Sequence, residues 1–224
     1  MMKIELLLAV AATASRDLAV TSVLAGLRGA RVTVHDPSLL AGLAHGEETE
    51  SAPPFQYLVE LACGSTRSAT DVLAAARIRL NAIDGIDRPA STAVAGPEFT
   101  VVPGDQPIML GMALTRRAGM SRDEFTQYWR TTHAELGRQV PGSEGYRQVH
   151  LDETLTNTAR DTFEFGGPRF DGMAVAFYSS QAALEAILSN SDVTSTLLAD
   201  ERNFIDHARS AMVVGRAPAT ALRN

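Results

Sequence analysis

The chain has 224 residues, 45% of them apolar and 21% charged, with a net charge of −6. This is enough apolar material to bury a core, in one large domain or two small ones. An acidic balance without runs of like charge leaves no electrostatic footprint for nucleic acid, and the basic residues, single except for Arg116-Arg117, make no membrane-surface patch.

One cysteine, Cys63, excludes an internal disulfide and the multi-cysteine zinc and iron–sulfur patterns. It ends an apolar run and reads as a buried structural thiol. The opening stretch, Lys3 followed by the apolar residues 6–10, imitates a secretory signal, but Glu5 interrupts it and a β-strand fits better. No stretch approaches bilayer length, so a cytoplasmic protein is expected, as a monomer or homodimer with no membrane or nucleic-acid partner.

Taken in chain order, residues 4–10 predict a strand, and Ser15 opens a helix to about 27 that stops at Gly29. Residues 31–35 alternate as a strand, 44–54 are polar loop, and 55–63 are a strand. An Ala-rich helix follows over about 67–83, then an extended segment over 90–102. The second half repeats that order. Residues 108–114 are a strand, and Ser121 caps a helix running to about 139, with Asp123 and Glu124 at its positive end. Residues 146–151 are a strand, 155–168 a long Gly/Thr/Asp loop, and 170–178 a strand. A helix over 181–188, one or two short helices within 192–206 and a strand over 211–214 complete the pass.

Two βαββαβ passes make an internal repeat with a period near half the length, divided at 1–104 and 105–224. The echoes are short: Ser15-Arg16-Asp17 against Ser121-Arg122-Asp123, and His35 against His150 at strand ends. The fold expected is α+β, tandem ferredoxin-like units whose bare sheet faces cover each other in a pseudo-dimeric barrel closed within one chain.

Within the helix from Ser121, Phe125, Trp129, Leu136 and Val140 share a face, with His133 on its margin. A histidine there is either a hydrogen-bonded core residue or a general base tuned by burial. Along the following strand, alternation puts Val149 and Leu151 under the helices and sends Tyr146, Gln148 and His150 into the barrel. Those three either line a pocket or meet water. Asp171 either orients a histidine or serves an Asp-Gly turn. Glu5 and Glu60, inside apolar strands, read as edge positions. No dinucleotide fingerprint, P-loop, nucleophile elbow or His-Glu-x-x-His occurs. A metal site from His133, His150 and an acid is specified by no spacing.

The stretch Arg116-Arg117-Ala118-Gly119-Met120-Ser121-Arg122-Asp123-Glu124-Phe125, with Tyr128-Trp129-Arg130 and His133-Ala134-Glu135-Leu136, resembles the opening motif of EthD-like proteins. Gly145-Tyr146-Arg147-Gln148-Val149-His150, Phe170-Asp171-Gly172 and Ala199-Asp200-Glu201-Arg202-Asn203-Phe204 resemble that family's later blocks, in order, over about 109–215. The family belongs with the dimeric α+β barrels, whose enzymes are mostly cofactor-free: cyclases, dehydratases, isomerases and quinol-forming oxygenases. Their ligands sit between sheet and helices, with histidine as the usual acid/base. The resemblance therefore implies a lyase- or isomerase-type enzyme, without cofactor or metal, acting on a small aromatic or polyketide-like carbonyl or phenol. It also implies His133 and His150 as a catalytic pair, with Tyr128, Trp129, Tyr146, Gln148 and Asp171 around the substrate. A cofactor-free oxygenase and a non-catalytic binding barrel are the rival expectations. The first half lacks counterparts of Trp129 and His133 and is expected to be a degenerate partner that closes the barrel.

Overall fold

The computed structural model describes residues 1–10, 26–27, 29–40 and 55–216, with the backbone alone at Arg67. The expected helix from Ser15 and the polar loop over 44–54 lie outside the described residues. Strands β1 (Met2–Val10), β2 (Ala30–His35), β3 (Phe55–Cys63) and β4 (Ile86–Val102) come from the first half. Strands β5 (Ile108–Leu114), β6 (Tyr146–His150), β7 (Gly172–Tyr178) and β8 (Ala211–Arg216) come from the second.

All eight form one closed antiparallel barrel in the order β1-β3-β2-β8-β5-β7-β6-β4. Each half keeps the strand order fourth-first-third-second, as β4-β1-β3-β2 and β8-β5-β7-β6, which is the ferredoxin-like arrangement. The seams are related by a pseudo-twofold: the second strand of each half meets the fourth of the other. At one seam Val34 and His35 pair with Arg216 and Gly215. At the other, β4 pairs with β6 from Glu98↔Val149 to Val102↔Tyr146. Because β4 runs for 17 residues, it can serve β1 with its first part and β6 with its last. Closure leaves no unpaired edge, which removes the aggregation liability of two open sheets.

Strand alternation sorts the core into an interior and two outer layers. Leu7, Leu58, Val94, Met109, Val149, Met173, Val175 and Phe177 fill the barrel. Ile4, Leu6, Tyr57 and Val59 point outward, under Leu73, Ala76 and Leu80 of α1 (Thr66–Leu80), which Ser65 caps. The expected loop over 155–168 is instead mostly a helix, α4 (Glu153–Phe163). The Asp152 side chain accepts from the Leu155 N–H at 2.9 Å and starts it. Leu155, Ala159 and Phe163, four apart, then pack against the first half's sheet beside α1. Thr156 locks it there, donating to the Ala95 carbonyl and accepting from the Ala95 N–H. A connection from the second half therefore covers the first. Burying Leu155 and Phe163 contributes about 1.5–3 kcal/mol each.

Two further expectations are corrected, while His35 ends β2 as expected and is a seam residue, its Nδ1 within 3.2 Å of the Val214 N–H. Glu5 and Glu60 are not at edges: they face each other in register on β1 and β3 and are fully buried. Val149 and Leu151 face the barrel interior rather than the helices, so Tyr146, Gln148 and His150 lie on the helix side. Among the described residues no helix is long and apolar enough to cross a membrane.

Candidate active site

The site is built where one helix lies on β6 and β7. A capping box starts α2 (Arg122–Tyr128): Ser121 and Glu124 each satisfy the other's backbone N–H. The helix then widens into a π turn over Trp129–His133 before resuming as α3 (Ala134–Gln139). A π turn inserts a residue into the α-helical register and is frequent at functional sites. Here it places Trp129 and His133 together against the sheet. It also moves Ala134 and Gly137 into the buried row, while Leu136 and Val140, expected there, are only half-buried.

Two glycines make room. A Cβ on Gly172 would stand 2.4 Å from Trp129 Cζ3, so only glycine lets the indole lie on β7. A Cβ on Gly137 would stand 2.9 Å from the Tyr146 ring. The Trp129 indole, wholly buried, packs at a tilt on the His150 ring with centroids 4.5 Å apart, and its Nε1–H donates to the Tyr146 hydroxyl at 3.0 Å.

Gln148 fixes the proton inventory on this side. Its Nε2 donates to the Trp129 carbonyl at 3.0 Å and to the Tyr146 hydroxyl at 3.1 Å. The amide orientation leaves Oε1 to accept from His150 Nε2 at 3.0 Å, so His150 carries its proton on Nε2. Its Nδ1 is buried with no hydrogen-bond partner. Burial, with the Arg130 charge added, pushes His150 down to about 4. Phe99 of β4 meets its ring edge-on at 5.0 Å, and Arg130 lies 3.9 Å over Phe99. The first half thus contributes a side chain to the site.

No hydrogen bond or ring contact joins His133 to His150: the His133 ring meets Tyr146, and the His150 ring meets Trp129. The partner of His133 is Asp200, at the end of α6 (Ser191–Glu201): Nδ1 lies 2.8 Å from Asp200 Oδ2. The Tyr128 hydroxyl donates to Asp200 Oδ1 at 2.6 Å and accepts from Asn203 at 3.3 Å. Phe204 packs on His133 at 5.0 Å and on Tyr128 at 5.2 Å. Among the described residues Asp171 orients no histidine. Its carboxylate binds the Arg116 guanidinium and backbone N–H, and so fixes the approach to the helix.

This geometry has a definite chemical capacity. Asp200 accepts from two donors, which puts the His133 proton on Nδ1 and leaves Nε2 an open acceptor. The Tyr146 oxygen accepts two hydrogen bonds, so its own proton is free to be donated. Burial raises the Tyr146 pKa and keeps that proton in place. The His133 and Tyr146 rings meet edge to face, 6.3 Å between centroids, so an imidazole and a neutral phenol lie side by side. Beside Tyr128 and Asn203 a groove of about 560 Å³ opens to the surface, lined also by Arg117, Gln127, Thr131 and Thr132. Helix α6 buries none of its residues. Among the described residues no group of three or more His, Cys, Asp or Glu is placed to hold a metal ion. Sequence reasoning did not assign roles to Asp200, Phe204 or Phe99; only the resemblance block around Asp200 pointed toward the first two.

Residues 117–208 match the family model of the EthD domain. Among solved structures, an anthrone oxidase-like protein superposes with a TM-score of 0.61 at 10% identity, over 97% of this chain and 91% of its own. A candidate monooxygenase from Fusobacterium nucleatum gives 0.56 at 8% identity, over 96% and 91%. A candidate chlorite dismutase gives 0.53 at 10% identity, over 98% and 95%. At these identities the likeness is one of fold, and it extends over both halves. No curated protein matches the sequence.

Proposed function

Since the second half of the chain carries an EthD domain, over residues 117–208, we propose a cofactor-independent enzyme that moves protons on a small aromatic or polyketide-like carbonyl or phenol. One observation carries this reading: His133 is held by Asp200 at Nδ1, with Nε2 unpaired among the described residues and the side chain almost fully enclosed. An imidazole so held takes a proton at Nε2, and Asp200 meets the charge that forms. The Tyr146 O–H supplies the complementary donor to a carbonyl oxygen gaining negative charge. The groove beside Tyr128 and Asn203 is where a small molecule would enter, with the buried aromatic cluster of Trp129 and Phe204 packed against Tyr128 and Met120 of its lining. His150, neutral on this account, shapes and polarises the pocket through Gln148 instead of exchanging protons. Tyr128 acts through Asp200, as a positioning residue. Lyase, dehydratase, cyclase and isomerase reactions all need this one exchange: a proton removed beside an activating group and another returned.

In the same reading residues 1–104 close the barrel and residues 105–224 carry the site, with Phe99 lent across the seam. A second reading is an oxygenase of an activated aromatic, in which the same base deprotonates a quinol and the anion reduces dioxygen. The oxidative names borne by the fold neighbours favour it. The test is to incubate extensively dialysed protein with phenolic ketones and with quinols, with and without air. Product formed without air, and lost in His133→Ala, supports proton-transfer chemistry. Product only in air supports the oxygenase. Tight binding with no product under either condition overturns both in favour of a binding barrel.

A further inference from the structure

The barrel interior has one charged end. Lys3 and Glu5 share the face of β1 that places Leu7 in the interior, and Glu60 shares that of Leu58 on β3. Arg31 and Thr33 enter from β2, Glu98 from β4 and Arg147 from β6, with Asp105 at the rim between β4 and β5. Arg31 and Arg147 both lie over the Phe177 ring, each 4.6 Å from its centroid.

Ion pairs account for all but one of the charged groups. Lys3 lies 2.7 Å from Glu60 and 2.9 Å from Glu98, and Arg31 reaches Glu60 at 3.4 Å. Arg31 and Arg147 both reach Asp105. Among the described residues this end holds three cations (Lys3, Arg31, Arg147) and four carboxyl groups (Glu5, Glu60, Glu98, Asp105). The group left over is Glu5, which has 0% exposure and no hydrogen-bond partner on either oxygen. Thr33 Oγ1, equally buried, is also without a partner. A lone buried carboxylate costs several kcal/mol, and proteins relieve that cost by neutralising the group.

We propose that the barrel interior is a binding site for one proton, held on Glu5 opposite the Glu60 carboxylate. Charge then balances, three against three. The proton resides on Glu5 rather than Glu60 because Lys3 and Arg31 anchor Glu60 as the anion. The titration directions agree. Burial, then the Glu60 charge, raises Glu5 well above the ordinary glutamate range, against the opposing pull of Lys3. At Glu60 burial also works against the anion, but Lys3, Arg31 and Arg147 together outweigh it. The charged groups facing Glu5 are Lys3 on its own strand, Glu60 on β3, Glu98 on β4 and Arg147 on β6. Glu98 and Arg147 belong to the strands of the β4–β6 seam, so ionising Glu5 loads the place where the two halves close.

A folded state that keeps a proton the unfolded chain has released loses stability as pH rises from the ordinary glutamate range toward the raised value. The decisive reading is the infrared C=O band of a protonated carboxyl at neutral pH. It should be present in the wild type and absent in Glu5→Gln. It should also disappear in Glu60→Gln, where Lys3 and Arg31 become free to pair with Glu5. Glu5→Gln should gain in Tm over wild type increasingly from pH 5 to pH 8. No band in the wild type, or a band that survives in Glu5→Gln, overturns the proposal. So does a wild-type Tm that rises with added sodium or potassium while the band is missing, because the charge is then supplied by a metal ion.

Discussion

Replacing Asp200 with Asn keeps the side chain's shape and removes its charge. Asp200 now accepts from His133 at 2.8 Å and from Tyr128 at 2.6 Å, with its side chain 10% exposed. An amide retains one acceptor oxygen, which the shorter Tyr128 bond should keep. Its NH2 then faces His133 and can only donate, which moves the imidazole proton from Nδ1 to Nε2. The base loses its open lone pair without moving. Losing one charge-assisted hydrogen bond at this depth costs about 1–3 kcal/mol of stability. The catalytic loss is larger, roughly 10²–10⁴-fold in kcat, because the wrong tautomer disables the proton acceptor. Long-range nitrogen–proton NMR of the His133 ring reads the tautomer directly and needs no substrate. Wild type should show Nδ1–H and Asp200→Asn should show Nε2–H. The same tautomer in both proteins, or a fully active Asp200→Asn, would refute the account of Asp200.

Asp171→Asn should leave the His133 tautomer and the activity near wild type, since Asp171 binds Arg116; a changed tautomer would return Asp171 to the site. Gly172→Ala drives a methyl into the Trp129 ring and should cost about 1–3 kcal/mol, part of it recovered when Trp129→Phe is added. Independent, additive losses in denaturant titrations would contradict that coupling. His150 accepts a proton near 6.5 in the unfolded chain but only near 4 when folded. Its contribution is therefore whole above about pH 6.5 and falls away by about 3 kcal/mol as pH drops through 4. His150→Gln, which preserves a donor toward Gln148, should flatten that acid limb, and an unchanged limb would place the proton uptake elsewhere.

Much of this fold is legible because local signals agree with one another. Ser121 caps its helix where expected, and the strands at 55–63 and 108–114 fall on their expected bounds. The repeat predicted closure, since two sheets each with a bare apolar face have one economical partner. What alternation cannot say is which side of a strand the helix covers when both sides are buried. Val149 and Leu151 are apolar and were expected beneath the helix, yet the barrel interior takes them. Tyr146, Gln148 and His150 can lie under the helix because Trp129 brings a matching N–H and carbonyl. The π turn has no periodic signature, so Leu136 and Val140 were expected in a row that Ala134 and Gly137 occupy. Asp200 is 67 positions from His133, on a helix without a buried stripe, and only tertiary structure brings it there. Lys3, two before Glu5, was the available sign that the charges of β1 share one interior face.

The central claim is that His133 removes a proton from a bound carbonyl or phenolic compound without help from a cofactor. Deuterium exchange measures that step alone, whatever the eventual product. A phenolic ketone incubated in D2O with dialysed protein, without air, should acquire deuterium at its acidic carbon, followed by proton NMR. Exchange should fall roughly 10²–10⁴-fold in His133→Ala while the variant remains folded. Exchange at the wild-type rate in folded His133→Ala would contradict the claim and place the base elsewhere.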